Sequence, residues 1–216
     1  MKGMKKLDNH FLDSLRFALY IPTHPFDGFW DLTHEGRGSV MAANIITLAM
    51  ILVEIMRLTL TNFQFLIINL EKFNIITVFL RIILPLGLWT VANWSLTTLM
   101  DGKGKLKDIY MATSYALVPY IIVNFLMIVL SQFITAQEGS VYHVLIAFST
   151  IWSVLLVLAG MMMIHDYSAS KAILSSLLTI VGVGIMVFLF LMFFSLISDA
   201  IAYFISLYKE IVFRVS

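Results

Sequence analysis

The chain has no cysteine, only four prolines and few charges. Without cysteine it has no disulfide, no thiolate nucleophile and no cysteine-ligated zinc. Charged residues make up 12% of its 216 positions, about half of the quarter that a water-soluble domain spreads over its surface. With 60% of the residues apolar, the medium that matches this composition is lipid. A net charge of +1 gives no bulk attraction to nucleic acid. The first residues, Met1 to Lys6, lead into a mixed polar segment rather than an apolar run, so a cleavable signal peptide is not expected. No internal repeat, low-complexity linker or period-two alternation is visible.

What the chain does have is long apolar runs. A span needs about 20 mostly apolar residues. Five stretches qualify: Val40 to about Leu60, about Asn74 to Met100, Ile109 to about Ile134, Val141 to Ile164, and Ala172 to about Ile197. Charges or turn residues bound them, as at Asp101-Gly102-Lys103-Gly104, Gln137-Glu138-Gly139-Ser140 and His165-Asp166-Tyr167-Ser168. The expected fold is an all-α polytopic membrane bundle of about five transmembrane helices with interfacial amphipathic helices. Its expected parts are an N-terminal segment 1–38, a five-helix region 39–199 and an amphipathic tail 200–216.

Basic residues orient the spans. Lys2, Lys5, Lys6, Arg16, Arg37, Lys103, Lys105, Lys107 and Lys171 fall on one side, against Lys72, Lys209 and Arg214 on the other. Nine against three place the N-terminus in the cytoplasm and, after five crossings of the cell membrane, the C-terminus outside. The basic tail leaves a sixth crossing or a re-entrant tail open.

Three segments read as interfacial, or equally as helices packed on the bundle. Leu7, Phe11, Leu15 and Leu19 recur four apart among polar residues. Phe63, Phe65 and Leu66 to Ile68 sit among Asn62, Gln64, Asn69 and Lys72. The tail from Ala200 to Phe213 mixes Tyr203, Phe204, Leu207 and Val212 with Lys209, Glu210 and Arg214.

Charges inside spans cost on the order of 3 kcal/mol on insertion scales, so they pair or face water. Glu54 and Arg57 share a face at i, i+3, and Arg81 enters the second span from the same side. Glu54 is expected to pair with Arg81, with Arg57 beside it. Outside the spans, the segment around Pro25, Phe26, Asp27, Phe29, Trp30 and Asp31 is dense in aromatic and acidic residues. Pro22 and Pro25 read as stops to helix formation, which makes it a folded juxtamembrane plug. With Lys103, Lys105 and Lys107 it forms the expected partner-binding surface. The lysines also read as a positive-inside anchor attracted to anionic headgroups; the spacing of a Walker phosphate loop is missing. His24, His34 and His165 with Asp27, Asp31, Glu35 and Asp166 are zinc-type donors, but their spacing matches no established site, and neither metal nor cofactor is expected. Pro85 and Pro119 fall inside spans and read as packing kinks. No catalytic constellation is visible, so the chain is not expected to be an enzyme.

The stretch Asp101-Gly102-Lys103-Gly104, followed by Asp108-Ile109-Tyr110, Ser114-Tyr115-Ala116 and Pro119-Tyr120, resembles the Yip domain family. So does the arrangement of an N-terminal segment, five spans and a short polar loop before the third. The segment Pro25 to Leu32 is similar to that of bacterial members, and the resemblance runs from about Phe17 to Leu196. It implies a non-enzymatic membrane adaptor. Eukaryotic members bind Rab-type GTPases; this chain lacks the Asp-Leu-Tyr-Gly-Pro signature of their cytoplasmic segment and has Phe29-Trp30-Asp31-Leu32-Thr33 in a loosely comparable place. Bacterial relatives often accompany sugar-uptake ABC transporters, which implies an accessory role beside a membrane transport complex. The expected partners are the bilayer and another membrane protein, with a homo-oligomer open. Two other readings stay open: a small permease with Glu54 and Arg81 in its pathway, and a lipid-organising protein built on the interfacial segments.

Overall fold

The computed structural model describes residues 13–66 and 74–215, and every regular element in them is helical. A helical turn over residues 13–18 precedes α1 (Pro25–His34), α2 (Val40–Leu60), α3 (Ile75–Leu99), α4 (Leu106–Ala116), α5 (Val118–Leu130), α6 (Gly139–His165) and α7 (Ala169–Val215). Five helical units are long and apolar enough to cross a membrane: α2, α3, α4 with α5, α6 and α7. They are the five runs read from the sequence.

Local chemistry sets the boundaries. Ser39 caps α2 by accepting from the Ala42 N–H at 3.5 Å, and Asn74 caps α3 by accepting from Ile76 at 2.9 Å. Asp108, at the third position of α4, accepts from the Lys105 N–H at 3.2 Å. The third span is two helices rather than one. The helical ladder breaks at Leu117, and Pro119, which has no N–H to continue it, opens the first turn of α5. Pro85 is accommodated inside α3, which runs on unbroken.

The buried core is concentrated at the end of the bundle that carries α1. Phe17, Ile21, Phe29 and Leu32 come down from the N-terminal segment onto Ile109, Tyr115, Met161 and Ile164 of α4 and α6. A smaller cluster of Phe65, Met127 and Tyr142 closes the opposite end. Between them many large apolar side chains point outward, Phe79, Leu84, Phe125, Leu155 and Phe188 among them. This is the surface that lipid, not water, would cover.

Several expectations change. Pro25 starts α1 instead of preventing a helix, because the first helical position needs no N–H donor. The N-terminal segment buries Ser14, Phe17, Ala18 and Ile21 and leaves Leu19 exposed; Leu7 and Phe11 lie outside the described residues. Phe65 is buried against Tyr142, with ring centroids 4.8 Å apart, while Phe63 is exposed. Residues 67–73 also lie outside the described range. The tail continues α7 as a single helix of 47 residues.

The close seat of α1 depends on one small residue. A Cβ on Gly160 of α6 would stand 3.3 Å from Phe29 Cε1 and 3.4 Å from the Ala112 Cβ. Gly160→Leu is therefore expected to push α1 off α6 and to destabilise the protein by about 1–3 kcal/mol, as core overpacking does. Gly160→Ala should cost much less. Thermal unfolding of the two variants in detergent checks this order; equal midpoints would show that α1 is not seated on α6.

Candidate functional site

At the α1 end, three chain segments meet: α1, the loop 101–105 and the α6–α7 junction at residues 165–168. The helices α3 and α6 end there in matching ways. Asp101 (φ 59°) and Asp166 (φ 52°) both adopt the left-handed conformation. The next N–H in each case turns back onto the helix, Gly102 to Thr97 O at 2.7 Å and Tyr167 to Met162 O at 3.0 Å.

The loop lies directly on the buried His165. The Gly104 N–H donates to His165 Nδ1 at 3.2 Å, and His165 Nε2 lies 3.1 Å from Asn93 Oδ1. A backbone N–H can only donate, so Nδ1 is the bare nitrogen and Nε2 carries the hydrogen. Asn93 Nδ2 donates onward to Thr179 Oγ1 at 3.1 Å, and that hydroxyl donates to Ser175 O at 2.7 Å. One chain of hydrogen bonds thus runs from the loop through α6 and α3 to α7, with no donor facing a donor. Tyr167 and Lys171 fasten the same corner by donating to Met100 O at 3.0 and 2.8 Å.

The two loop glycines make this approach possible. A Cβ on Gly102 would come within 2.7 Å of His165 Nδ1 and 2.8 Å of Thr97 Cβ, and one on Gly104 would collide with Ile164 and His165. Lys103, between them, turns outward and pairs with Asp166 at 2.7 Å. That ammonium holds the Asp166 carboxyl below the usual carboxylate range. The pair therefore contributes at neutral pH and is lost as pH falls through the depressed value. Burial pushes the Tyr167 phenol upward.

The partner-surface candidates divide in two. Phe26 and Trp30 are 52% and 44% exposed, and Trp30 stacks on His34 with centroids 3.7 Å apart. Asp27, Lys105 and Lys107 are also exposed. Phe29, in contrast, is fully buried against α6 and belongs to the core rather than to the surface. Asp31 is committed to Arg37 at 2.9 Å. Pro25 and Phe26 rim an apolar groove of about 270 Å³ that Trp152, Leu156, Met162 and Ile173 line between α6 and α7.

The intramembrane charges pair differently from the expectation. Arg57 Nε and Nη2 grip Glu54 at 2.9 and 2.6 Å within α2, a two-pronged contact between neighbours one turn apart. Arg81 is exposed and makes no ion pair among the described residues. A partner one turn away on the same helix reaches Glu54 without any interhelical approach. The zinc-type donors are dispersed: His24 stacks on Tyr20, His34 on Trp30, and His165 is enclosed by Asn93 and Gly104. Among the described residues no three metal-type donors converge.

The hydrogen-bonded group His165, Asn93, Thr179 and Tyr167 was not assembled from the sequence. Its one visible signal is Asn93, a strongly polar side chain in the middle of an apolar run.

Five apolar helical units and an outward-facing apolar surface define a multi-pass helical membrane protein. The chain belongs to the Yip1 domain family, whose profile matches residues 19–199. Neither a curated protein nor a solved structure matches it.

Two outcomes follow from this geometry. Gly104→Ala is expected to lift the loop and cost about 1–3 kcal/mol, read as a lower unfolding midpoint together with faster hydrogen exchange at residues 102–105. Unchanged exchange would show that the loop tolerates a Cβ. Arg57→Gln leaves a buried carboxylate alone and should cost about 3–5 kcal/mol, whereas Glu54→Gln combined with Arg57→Gln should recover most of that loss. Arg81→Gln should stay within about 0.5 kcal/mol of the parent. Additive losses in the double variant would break the pairing.

Proposed function

We propose that this Yip1-family chain is a non-enzymatic membrane scaffold that holds a partner protein on the end carrying α1. The observation behind this reading is a seated platform whose outer aromatic and charged residues are exposed. Phe29, Leu32 and the Gly104–His165 contact fix α1 and the loop to the bundle. Phe26, Trp30, Asp27, Lys105 and Lys107 are left exposed beside one another's elements. Aromatic anchors ringed by charges on a fixed backbone are what a specific docking surface needs, because little ordering is left to be done on binding.

The distribution of basic residues supports a cytoplasmic location for this end and an outward-facing C-terminus in the cell membrane. The aromatic residues of α1 then lie at headgroup level on the cytoplasmic leaflet, where Trp side chains are favoured. The partner is another membrane protein or complex. On the resemblance to bacterial members, an ABC-type transporter is the first to look for. A permeation pathway through Glu54 and Arg81 draws no support from this geometry, because Glu54 is closed onto Arg57 and Arg81 points away from the bundle.

The test is to purify the tagged chain from its native membranes in mild detergent and to identify stoichiometric companions. A set of variants, Trp30→Ser, Phe26→Ser and Lys105→Glu with Lys107→Glu, is carried through in parallel. Each is expected to reduce the companion at least tenfold while leaving the unfolding midpoint within a few degrees of the parent. Recovery of the chain alone, or of the same companion with every variant, would overturn the reading.

A further inference from the structure

The last helix is longer than the bundle it belongs to. At 1.5 Å per residue, the 47 residues of α7 span about 70 Å, whereas the hydrocarbon core of a bilayer is about 30 Å thick. The hydrogen bond between Asn93 and Thr179 fixes the register of α7 against the antiparallel α3. Counting outward from that pair, Ile75 at the start of α3 lies level with about Ile197. The polar cap Asn74 lies level with Ser198 and Asp199, the first charge after Lys171. The bundle and the uncharged run of α7 therefore end together. Everything from Asp199 onward lies beyond the apolar layer on the side opposite α1.

The continuation is two-faced. At 100° per residue, Asp199, Ser206, Lys209, Glu210 and Arg214 fall within an arc of about 140°, which Tyr203 and Phe213 share. Ile201, Phe204, Ile205, Tyr208, Ile211 and Val212 occupy the other side. Every residue from Val187 to Arg214 is exposed, so among the described residues Ile201, Phe204, Ile205, Tyr208, Ile211 and Val212 are not covered by the bundle. The segment is also unsuited to a sixth crossing. From Asp199 to Val215 it is about 25 Å long, shorter than the hydrocarbon core, and it carries four charges.

We infer that residues 199–215 form a membrane-surface helix, which bends away from the axis of α7 near Ser195–Ser198 and lies in the headgroup layer of the leaflet opposite α1, with Phe204, Tyr208 and Ile211 toward the acyl chains. The occupant of its apolar face is the lipid interface itself. A straight continuation would hold Phe204, Tyr208 and Ile211 in water, whereas a surface-lying helix immerses them and keeps Lys209, Glu210 and Arg214 solvated. The aromatic residues suit that depth. The charges on the segment cancel, with Lys209 and Arg214 against Asp199 and Glu210, and Glu210 already pairs with Arg214 at 2.8 Å. Attachment therefore rests on apolar burial rather than on attraction to anionic headgroups. The lysine-rich opposite end has the contrary bias.

The absence of native cysteine makes the test direct. Single cysteines are placed at Ile201, Phe204, Ser206, Tyr208, Glu210 and Ile211 of the full chain, spin-labelled, and reconstituted into phosphatidylcholine vesicles. Collision with oxygen is compared with collision with a water-soluble nickel chelate. The oxygen-to-nickel ratio is expected to rise and fall with helical period. It should be several-fold higher at 201, 204, 208 and 211 than at 206 and 210, with no site reaching bilayer-centre depth. Replacing about a third of the lipid with phosphatidylglycerol should leave the pattern unchanged. Four results would overturn the inference: uniform exposure to nickel, a projecting stalk; a steady rise toward the bilayer centre, a crossing; dipolar broadening between labels, a second copy on the apolar face; or immersion only with anionic lipid. Phe204→Asp with Ile211→Asp should abolish the periodicity while the unfolding midpoint of the bundle stays put.

Discussion

In lipid no water is at hand to satisfy a stray polar group, so the hydroxyls, amides and backbone N–H groups inside the bundle have to find partners within the protein. Among the described residues few buried side-chain atoms, Trp89 Nε1 and Ser153 Oγ among them, go without one. The short helix α4 is where this constraint is met most fully. It lies between α2 and α6, with Ile109 and Met111 to Ala116 all buried, and its polar side chains serve as ties. Tyr110 donates to Asn44 at 2.7 Å, and Ser114 lies 3.2 Å from Thr47, both on α2. The Tyr115 hydroxyl accepts from the Ser39 N–H at 3.4 Å and donates to Ser14 O at 3.3 Å, so that one phenol joins the cap of α2 to the N-terminal segment. Thr113 turns back onto Ile109 O at 2.8 Å. The position of α1 over α6, and hence the platform at that end, follows from where α4 is held.

This explains what the family-like residues do in this chain. Asp108 caps α4, Tyr110, Ser114 and Tyr115 tie it to its neighbours, Gly102 and Gly104 let the preceding loop settle onto His165, and Pro119 separates α4 from α5. Each is engaged inside the molecule. A motif of this kind specifies a membrane architecture. Family membership can therefore be shared by chains that hold different partners.

The spans were legible because long apolar runs have few alternatives, and the bounds read for α2 match Val40–Leu60. Finer features were harder to read for identifiable reasons. Proline suppresses helix only where an N–H is needed, and Pro25 sits where none is needed. Amphipathic spacing in the N-terminal segment suggested Leu15 and Leu19 as the inner face. Leu15 does pack against the core, but Leu19 is exposed, and the face is completed by Phe17 and Ile21, which fit what α4 and α6 present. Glu54 offered two cationic candidates, Arg57 and Arg81. Sequence spacing could not weigh a one-turn contact against an interhelical one that depends on packing. The polar chain through His165, Asn93 and Thr179 joins positions 72 and 86 residues apart, a separation that no local pattern encodes.

The two ends of the bundle solve the problem of leaving the membrane differently. At the α1 end, the exits of α3 and α6 are folded back by left-handed aspartates, and the loop between α3 and α4 is buttoned onto a buried histidine. Polar groups there are consumed by neighbours, and the backbone is fixed. At the other end, Gln132 donates to Leu60 O at 2.6 Å and the Asn62 N–H to Ser131 Oγ at 3.2 Å. These tie α2 to α5, while the residues of α7 from Val187 to Arg214 are exposed. A fixed surface can present side chains at constant spacing to another protein. The two ends thus differ in how far their polar groups are engaged within the protein, and that difference follows from where the hydrogen bonds lie.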